Sequence, residues 1–226
     1  VVLDMQRYPT AALMTLKNSL WKTNFNCQYQ QNPTSKENQE FHEEWFKYYE
    51  NIPTTGRTFT TVDPAFSKKL SADDSAITTG KFVWDTLYIL EQTAGKFDPA
   101  ELEDKILYHI KKWNPEKVGI EAVAAQTTIW FSLRNRLKKE SIYIDVDDIR
   151  QNGDKEAKIR SLIPLYRNWQ IFHTRELGKL ESQLMKFPRG KHDDCPDSLQ
   201  MLYYMYELMP NVTRMFQMPK IVFDKY

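Results

Sequence analysis

The stretch at residues 58–64, TFTTVDP, limits the fold more than any other part of the chain. Five β-forming residues, Thr58, Phe59, Thr60, Thr61 and Val62, deliver one acid, Asp63, and Pro64 stops the run at once. Strand interiors disfavour aspartate. A carboxylate at the end of a buried strand also needs a partner to offset its desolvation, and a cation is the simplest one. The run therefore predicts a strand whose last residue faces a charged site.

Two later stretches are candidates to complete that site. Residues 117–123, KVGIEAV, form another short apolar run with one acid, Glu121. Residues 191–198, KHDDCPDS, hold Asp193, Asp194 and Asp197 just where a helix opening at Pro196 is predicted. Carboxylates gathered without cations repel one another and raise each other's pKa. Hard divalent ions such as Mg²⁺ or Mn²⁺ relieve that conflict, since they prefer oxygen ligands and keep waters for a phosphate. Two such ions about 4 Å apart would serve phosphodiester hydrolysis. From spacing alone, salt bridges and helix caps explain these acids as well as a metal site does.

The order of elements sets how the three stretches can meet. After the Asp63 strand, a loop carries Lys68, Lys69, Asp73 and Asp74. Residues 75–81 and 86–92 then read as a hairpin about Val83, Trp84 and Asp85. Asp98, Pro99 and Glu101 give an N-cap, a first-turn proline and a capping-box acid, and Leu102, Ile106, Ile110 and Trp113 follow one helical face. A strand at 117–123 follows, without clean alternation, as expected when both faces are covered. Next come a helix with Ile129, Leu133 and Leu137 inward, a strand at 141–146, and a helix capped by Asp154 with Ile159, Leu162, Ile163 and Tyr166 inward. Residues 171–173 read as a short strand, and a last helix buries Leu199, Leu202, Tyr203 and Tyr206. The predicted fold is mixed α/β, a five-stranded sheet flanked by helices, antiparallel on one side and parallel on the other. Residues 1–56 read as an arm and linker, and 57–226 as the main domain. In the arm, Leu13, Leu16 and Leu20 mark an amphipathic helix, 24–39 an extended linker, and Phe41, Trp45, Phe46, Tyr48 and Tyr49 an aromatic piece that docks.

Composition narrows the partners. With 226 residues and 41% hydrophobic content, the chain can bury a real core. A formal net charge of +1 excludes a uniformly basic surface, so a polyanion would be held by a local patch. Lys186, Arg189, Lys191 and His192, with Arg134 and Lys138, are the candidate phosphate contacts. Such runs are also common on solvated helix faces. His192 has two readings, a surface contact to phosphate or a group serving the metal or leaving oxygen. Cys27 and Cys195 lack CxxC spacing, which suggests a reducing compartment. The Asn211-Val212-Thr213 glycosylation pattern is taken as chance in such a compartment. No run reaches the roughly 18 apolar residues of a membrane span. Met201, Met205 and Met209 read as a core or contact stripe.

Several of these residues together resemble a known family. TTVDPA at 60–65, GIEA at 119–122 and HDDCPDS at 192–198 are similar to the three acidic motifs of the nuclease domain of tailed-bacteriophage terminase large subunits, a ribonuclease-H-like fold. CQYQQNP at 27–33 and EWFKYY at 44–49 resemble the segment that joins the ATPase domain to the nuclease there. The stretch from Asp154 and Lys155 to Arg160, with Leu162 and Pro164, also resembles a recurrent family stretch.

The resemblance implies a two-metal endonuclease using Mg²⁺ or Mn²⁺ that cuts concatemeric viral DNA during genome packaging in the host cytoplasm. Asp63 would bridge two ions, Glu121 would hold one, and Asp194 would be the third ligand, with Asp193 and Asp197 as further candidates. Partners would be double-stranded DNA, an ATPase domain, a small terminase subunit and a portal or procapsid, with no membrane. Cys195-Pro196 departs from the small residues usual in the third motif. No Walker A phosphate loop occurs, neither GxxxxGKS nor GxxxxGKT, so ATP hydrolysis is not assigned to this chain. Because the chain starts at Val1 and not Met, a fragment is expected, with residues 1–22 as the tail of the ATPase domain. Two alternatives stay open at this stage. One is another ribonuclease-H-like nuclease, such as a Holliday-junction resolvase or transposase core, and the other is a non-catalytic DNA- or capsid-docking module.

Overall fold

The computed structural model of the chain describes residues 39–65, 74–121, 127–151 and 153–209, with side chains at 127–130 excepted. The expected arm helix and the linker up to residue 38, Lys68, Lys69, Asp73 and Asn211, and the side chain of Ile129, lie outside what is described. In chain order the strands are β1 (Lys47–Tyr48), β2 (Arg57–Asp63), β3 (Ser75–Val83), β4 (Thr86–Gly95), β5 (Lys117–Glu121), β6 (Asp145–Ile149) and β7 (Ile171–His173). The helices are α1 (Pro99–Trp113), α2 (Thr127–Lys139), α3 (Lys155–Arg160), α4 (Leu162–Arg167), α5 (Gly178–Lys186) and α6 (Asp194–Glu207).

The strands make one sheet in the order β1-β7-β4-β3-β2-β5-β6. β2, β3 and β4 form the antiparallel meander, and β5 and β6 join β2 in parallel. The mixed α/β fold thus stands, with seven strands in place of the expected five. The sequence marks β7 as a short strand without giving it a place in the sheet, and it does not mark β1 at all. β1 is two residues long and pairs in parallel with β7, so no local pattern announces it. Its segment is seated by Phe41 and Phe46, which are buried, and by Phe46 stacked on His173. His173, buried as well, meets the Tyr166 hydroxyl at 2.8 Å and Glu181 Oε1 at 2.9 Å.

Alternation along the strands divides the core into two layers. Val62, Ile77, Val118, Ile120 and Val146 pack with Leu102, Ile106 and Ile110 of α1 and Leu133 and Leu137 of α2. Phe59, Phe82, Leu87 and Ile89 pack on the other side with Leu199, Leu202 and Met205 of α6 and with residues of α3, α4 and α5. α1 opens with the predicted capping box: the Glu101 N–H donates to Asp98 Oδ1 and the Asp98 N–H to Glu101 Oε2, both at 2.9 Å. The helix predicted after Asp154 is split at Ser161. Pro164 accounts for the break, since its ring clashes with the carbonyl of Arg160 one turn back and it has no N–H. The strand predicted at 141–146 begins instead at Asp145. Ser141 closes α2 in a left-handed conformation (φ 56°), which carries the chain past 142–144 before pairing begins. The acids Asp145 and Asp147 are tolerated there because this edge strand lies beside Lys117, whose ammonium pairs with both.

Candidate functional site

Register brings the first two acids together. β2 and β5 run in parallel with Val62 opposite Ile120, so Asp63 and Glu121 end neighbouring strands. Both lie on the α6 face of the sheet. Thr61, two residues before Asp63, donates its hydroxyl to the Ser198 carbonyl of α6 at 2.8 Å, and Gly119, two before Glu121, lies under Met205. A Cβ on Gly119 would sit 2.8 Å from Met205 Sδ, and one on Gly80 would sit 2.8 Å from Leu202 Cδ2. These two glycines let α6 lie close to the sheet, which a side chain at either place would prevent.

The third acid of the cluster comes from the first turn of α6. Burial first, then the negative charges of Glu121 and Asp197, hold the Asp63 carboxyl well above the usual carboxylate range. Burial also raises Asp197, which Lys155 only partly offsets. Lys155, the first residue of α3, reaches Asp193 Oδ1 at 2.9 Å and Asp197 Oδ2 at 3.2 Å. Burial disfavours its ammonium, yet Asp197, Asp193 and Asp63 around it hold its pKa above the ordinary lysine value. Among the described residues, one cation thus stands among carboxylates that outnumber it.

Asp63, Asp197 and Asp193 accordingly lie around Lys155, with Glu121 beside Asp63 and Asp197. Asp194, expected as the third ligand, is 1% exposed, and its Oδ2 lies 3.8 Å from His192 Nδ1. The sequence places Lys155 in a stretch that resembles one recurrent in the family, without assigning it to the site. Its place directly after the Asp154 cap is the signal that was available, because helix α3 then starts beside the acids. Of the candidate phosphate contacts, Lys186, Arg189 and Lys191 are exposed and His192 is half-buried on the chain leading into α6, whereas Arg134 and Lys138 are exposed on α2 in the other helical layer. Arg136 of the same helix is committed to Asp104 at 2.6 Å.

The donor set suits hard cations. It is all carboxylate oxygen, and its mutual repulsion is what a divalent ion would remove. Among the described residues, no three acidic, histidine or cysteine side chains already converge on one ligating point. Lys155 draws Asp193 and Asp197 to itself, so binding would require that ion pair to open.

No protein-family model matches this sequence, and comparison with curated proteins finds no match. Solved structures do match. The human cytomegalovirus terminase nuclease domain, in a manganese-soaked, inhibitor-bound form, superimposes with a TM-score of 0.55 at 14% identity, over 74% of this chain and 94% of that one. The large terminase of a thermophilic bacteriophage gives a TM-score of 0.53 at 9% identity, over 74% of this chain and 43% of that chain. This chain therefore spans less than half of the phage protein. At such identities the likeness speaks for the fold, and the fold of this chain is that of the terminase nuclease domains.

Proposed function

We propose that this domain is a divalent-metal-dependent endonuclease that cuts concatemeric viral DNA during genome packaging, with little sequence preference. The observation that carries the proposal is the meeting of Asp63, Glu121 and Asp197, with Asp193, at one end of the sheet, where burial first and then the neighbouring like charges raise the pKa of Asp63. A structural carboxylate cluster would have cations enough to neutralise it, whereas among the described residues this one pairs with Lys155.

In this reading Asp63 and Glu121 would hold the ions from the strand ends and Asp197 would hold them from the helix, while Asp193 and Asp194, within a turn of Asp197, would complete the donor supply. A bound pair of Mg²⁺ or Mn²⁺ ions would supply Lewis-acid stabilisation of the leaving oxygen and a water acidic enough to attack phosphorus. Lys155 of α3 holds the carboxylates at the start of α6, Asp193 and Asp197, and with an ion bound would be released toward the developing phosphate charge. Lys186, Arg189, Lys191 and His192 hold the backbone beside the cut, and Arg134 and Lys138 are the more remote contacts. Such contacts read phosphate and not base, which gives salt-dependent binding with little sequence preference. The ATPase domain, the small subunit, the portal and the host cytoplasm belong to the same proposal.

A plasmid-nicking assay with Mg²⁺, Mn²⁺ or EDTA tests it, run beside Asp63→Asn and Asp197→Asn proteins of verified fold. Metal-dependent nicking lost in both variants is expected. Equal nicking by wild type and Asp63→Asn would sink the assignment, and symmetrical cutting confined to branched DNA would favour a resolvase.

A further inference from the structure

The first turn of α6 is capped from outside itself. A helix normally takes its cap from the residue before the first turn, whose side-chain oxygen accepts the N–H of the second or third helical residue. Here that residue is Asp193, and its side chain makes no such bond. The third helical residue is Pro196, which has no N–H to offer. The N–H of the second, Cys195, donates to Gln183 Oε1 of α5 at 2.9 Å. The Asp193 carboxylate is thereby left for Lys155.

Two further side chains grip the same turn. Gln92 of β4 donates its amide to the Cys195 carbonyl at 3.0 Å and to Thr78 Oγ1 at 2.8 Å. Thr61 donates to the Ser198 carbonyl at 2.8 Å. Asp197 lies between these anchors, two residues after Cys195 and one before Ser198. Cys195 itself is fully buried, so water does not compete for its backbone groups, and each anchor counts for more than it would at the surface.

We propose that Gln183 and Gln92 are positioning residues of the carboxylate site, acting in opposite senses. Gln183, by accepting the Cys195 N–H, takes over the capping that Asp193 would otherwise supply, and so frees Asp193 for Lys155 and the ions. Gln92, by donating to the Cys195 carbonyl, fixes the height of the turn on the sheet. A neutral amide at 183 accepts the N–H without adding charge to an already acidic cluster. The inference concerns aim and rests on the nuclease reading for its consequence.

The test is Mn²⁺ binding to the full chain without DNA, followed by titration calorimetry, with melting curves to establish folding. Gln183→Met keeps size but removes the acceptor, so Asp193 turns back to cap Cys195 and the Mn²⁺ midpoint rises on the order of 10-fold. Gln183→Glu restores an acceptor and recovers most of that loss. Gln92→Glu sets an acceptor against the Cys195 carbonyl and weakens Mn²⁺ binding. The two glutamine-to-glutamate changes thus differ in outcome, which a merely structural role would not produce. Should Gln183→Met not fold, Gln92→Met carries the same expectation. An unmoved midpoint in a folded variant overturns the positioning role while leaving the nuclease reading intact. A wild-type chain that binds no Mn²⁺ and cuts no DNA overturns both.

Discussion

The two faces of the central strands treat buried polar groups in opposite ways. On the α1 face, the Thr60 and Thr79 hydroxyls meet at 2.8 Å, Thr79 meets His109 Nδ1 at 2.8 Å, and His109 Nε2 meets Thr93 at 2.9 Å. Burial pushes His109 down to about 4, so at neutral pH every member of that chain is uncharged and partnered. On the α6 face, three residues along from Thr60, Asp63 lies among acids with, among the described residues, one ammonium for company. Satisfied networks of the first kind specify a core. Unbalanced charge of the second kind costs stability unless a ligand relieves it, which is where function is to be sought.

That contrast can be broken most sharply at Asp63. Asp63→Asn is expected to reduce metal-dependent nicking by at least about 10²-fold, since several kcal/mol of transition-state stabilisation would go with the ligand. In EDTA at neutral pH the same variant should melt higher than wild type, by about 2–4 °C for each kcal/mol of relieved repulsion. A lower melting point would show that Asp63 is held by structure and not strained by it.

At His109 the expectation is reversed. His109→Ala removes one partner of the buried Thr79 hydroxyl, which keeps Thr60, and the imidazole partner of the half-buried Thr93 hydroxyl, and should cost about 1–3 kcal/mol of stability, read in urea unfolding. Nicking per folded molecule should stay at the wild-type level. A loss of cleavage beyond the loss of folded protein would join the two faces that the comparison separates.

A pH series on metal-free protein sharpens the same difference. Asp63 and Asp197 have raised folded pKa values, so their protonated forms are favoured by folding. Their contribution is present below the unfolded carboxylate pKa and is lost as pH rises through the folded values. Stability in EDTA should therefore fall as pH rises above the ordinary carboxylate range, and added Mn²⁺ should flatten the fall. A melting temperature independent of pH in EDTA would contradict the raised values. The smallest effect is expected at the exposed lysines. Lys191→Ala should weaken DNA binding uniformly across sequences and lower the salt slope by about 1, as measured by anisotropy at several salt concentrations.

Local signals made much of the fold legible. The β-run closed by Asp63 and Pro64, the hairpin about Trp84 and Asp85, and the capping box of Asp98 and Glu101 all depend on residues a few places apart, and all stand where the sequence puts them. β1 was not legible, because two residues pairing with β7 carry no period of their own. At the site, Asp63 and Glu121 could be nominated because each ends an apolar run. The choice among Asp193, Asp194 and Asp197 could not, since three acids within five positions differ only in which way the helix is turned.

What the sequence determined by itself is the kind of chemistry available: acids at strand ends and at a helix start, separated by elements whose order fixes a mixed sheet. What only the tertiary structure decided is which of them meet and what stands between them. Lys155 enters the cluster because α3 begins beside α6, and Asp197 turns to Asp63 because Gln183, Gln92 and Thr61 hold that turn from three other elements. The physical reason is range. Capping and strand propensity act over a few residues and are written in neighbours, whereas the aim of a buried carboxylate depends on groups on other elements, Gln92 and Thr61 among them more than a hundred positions away, which only the packed fold brings within a hydrogen bond.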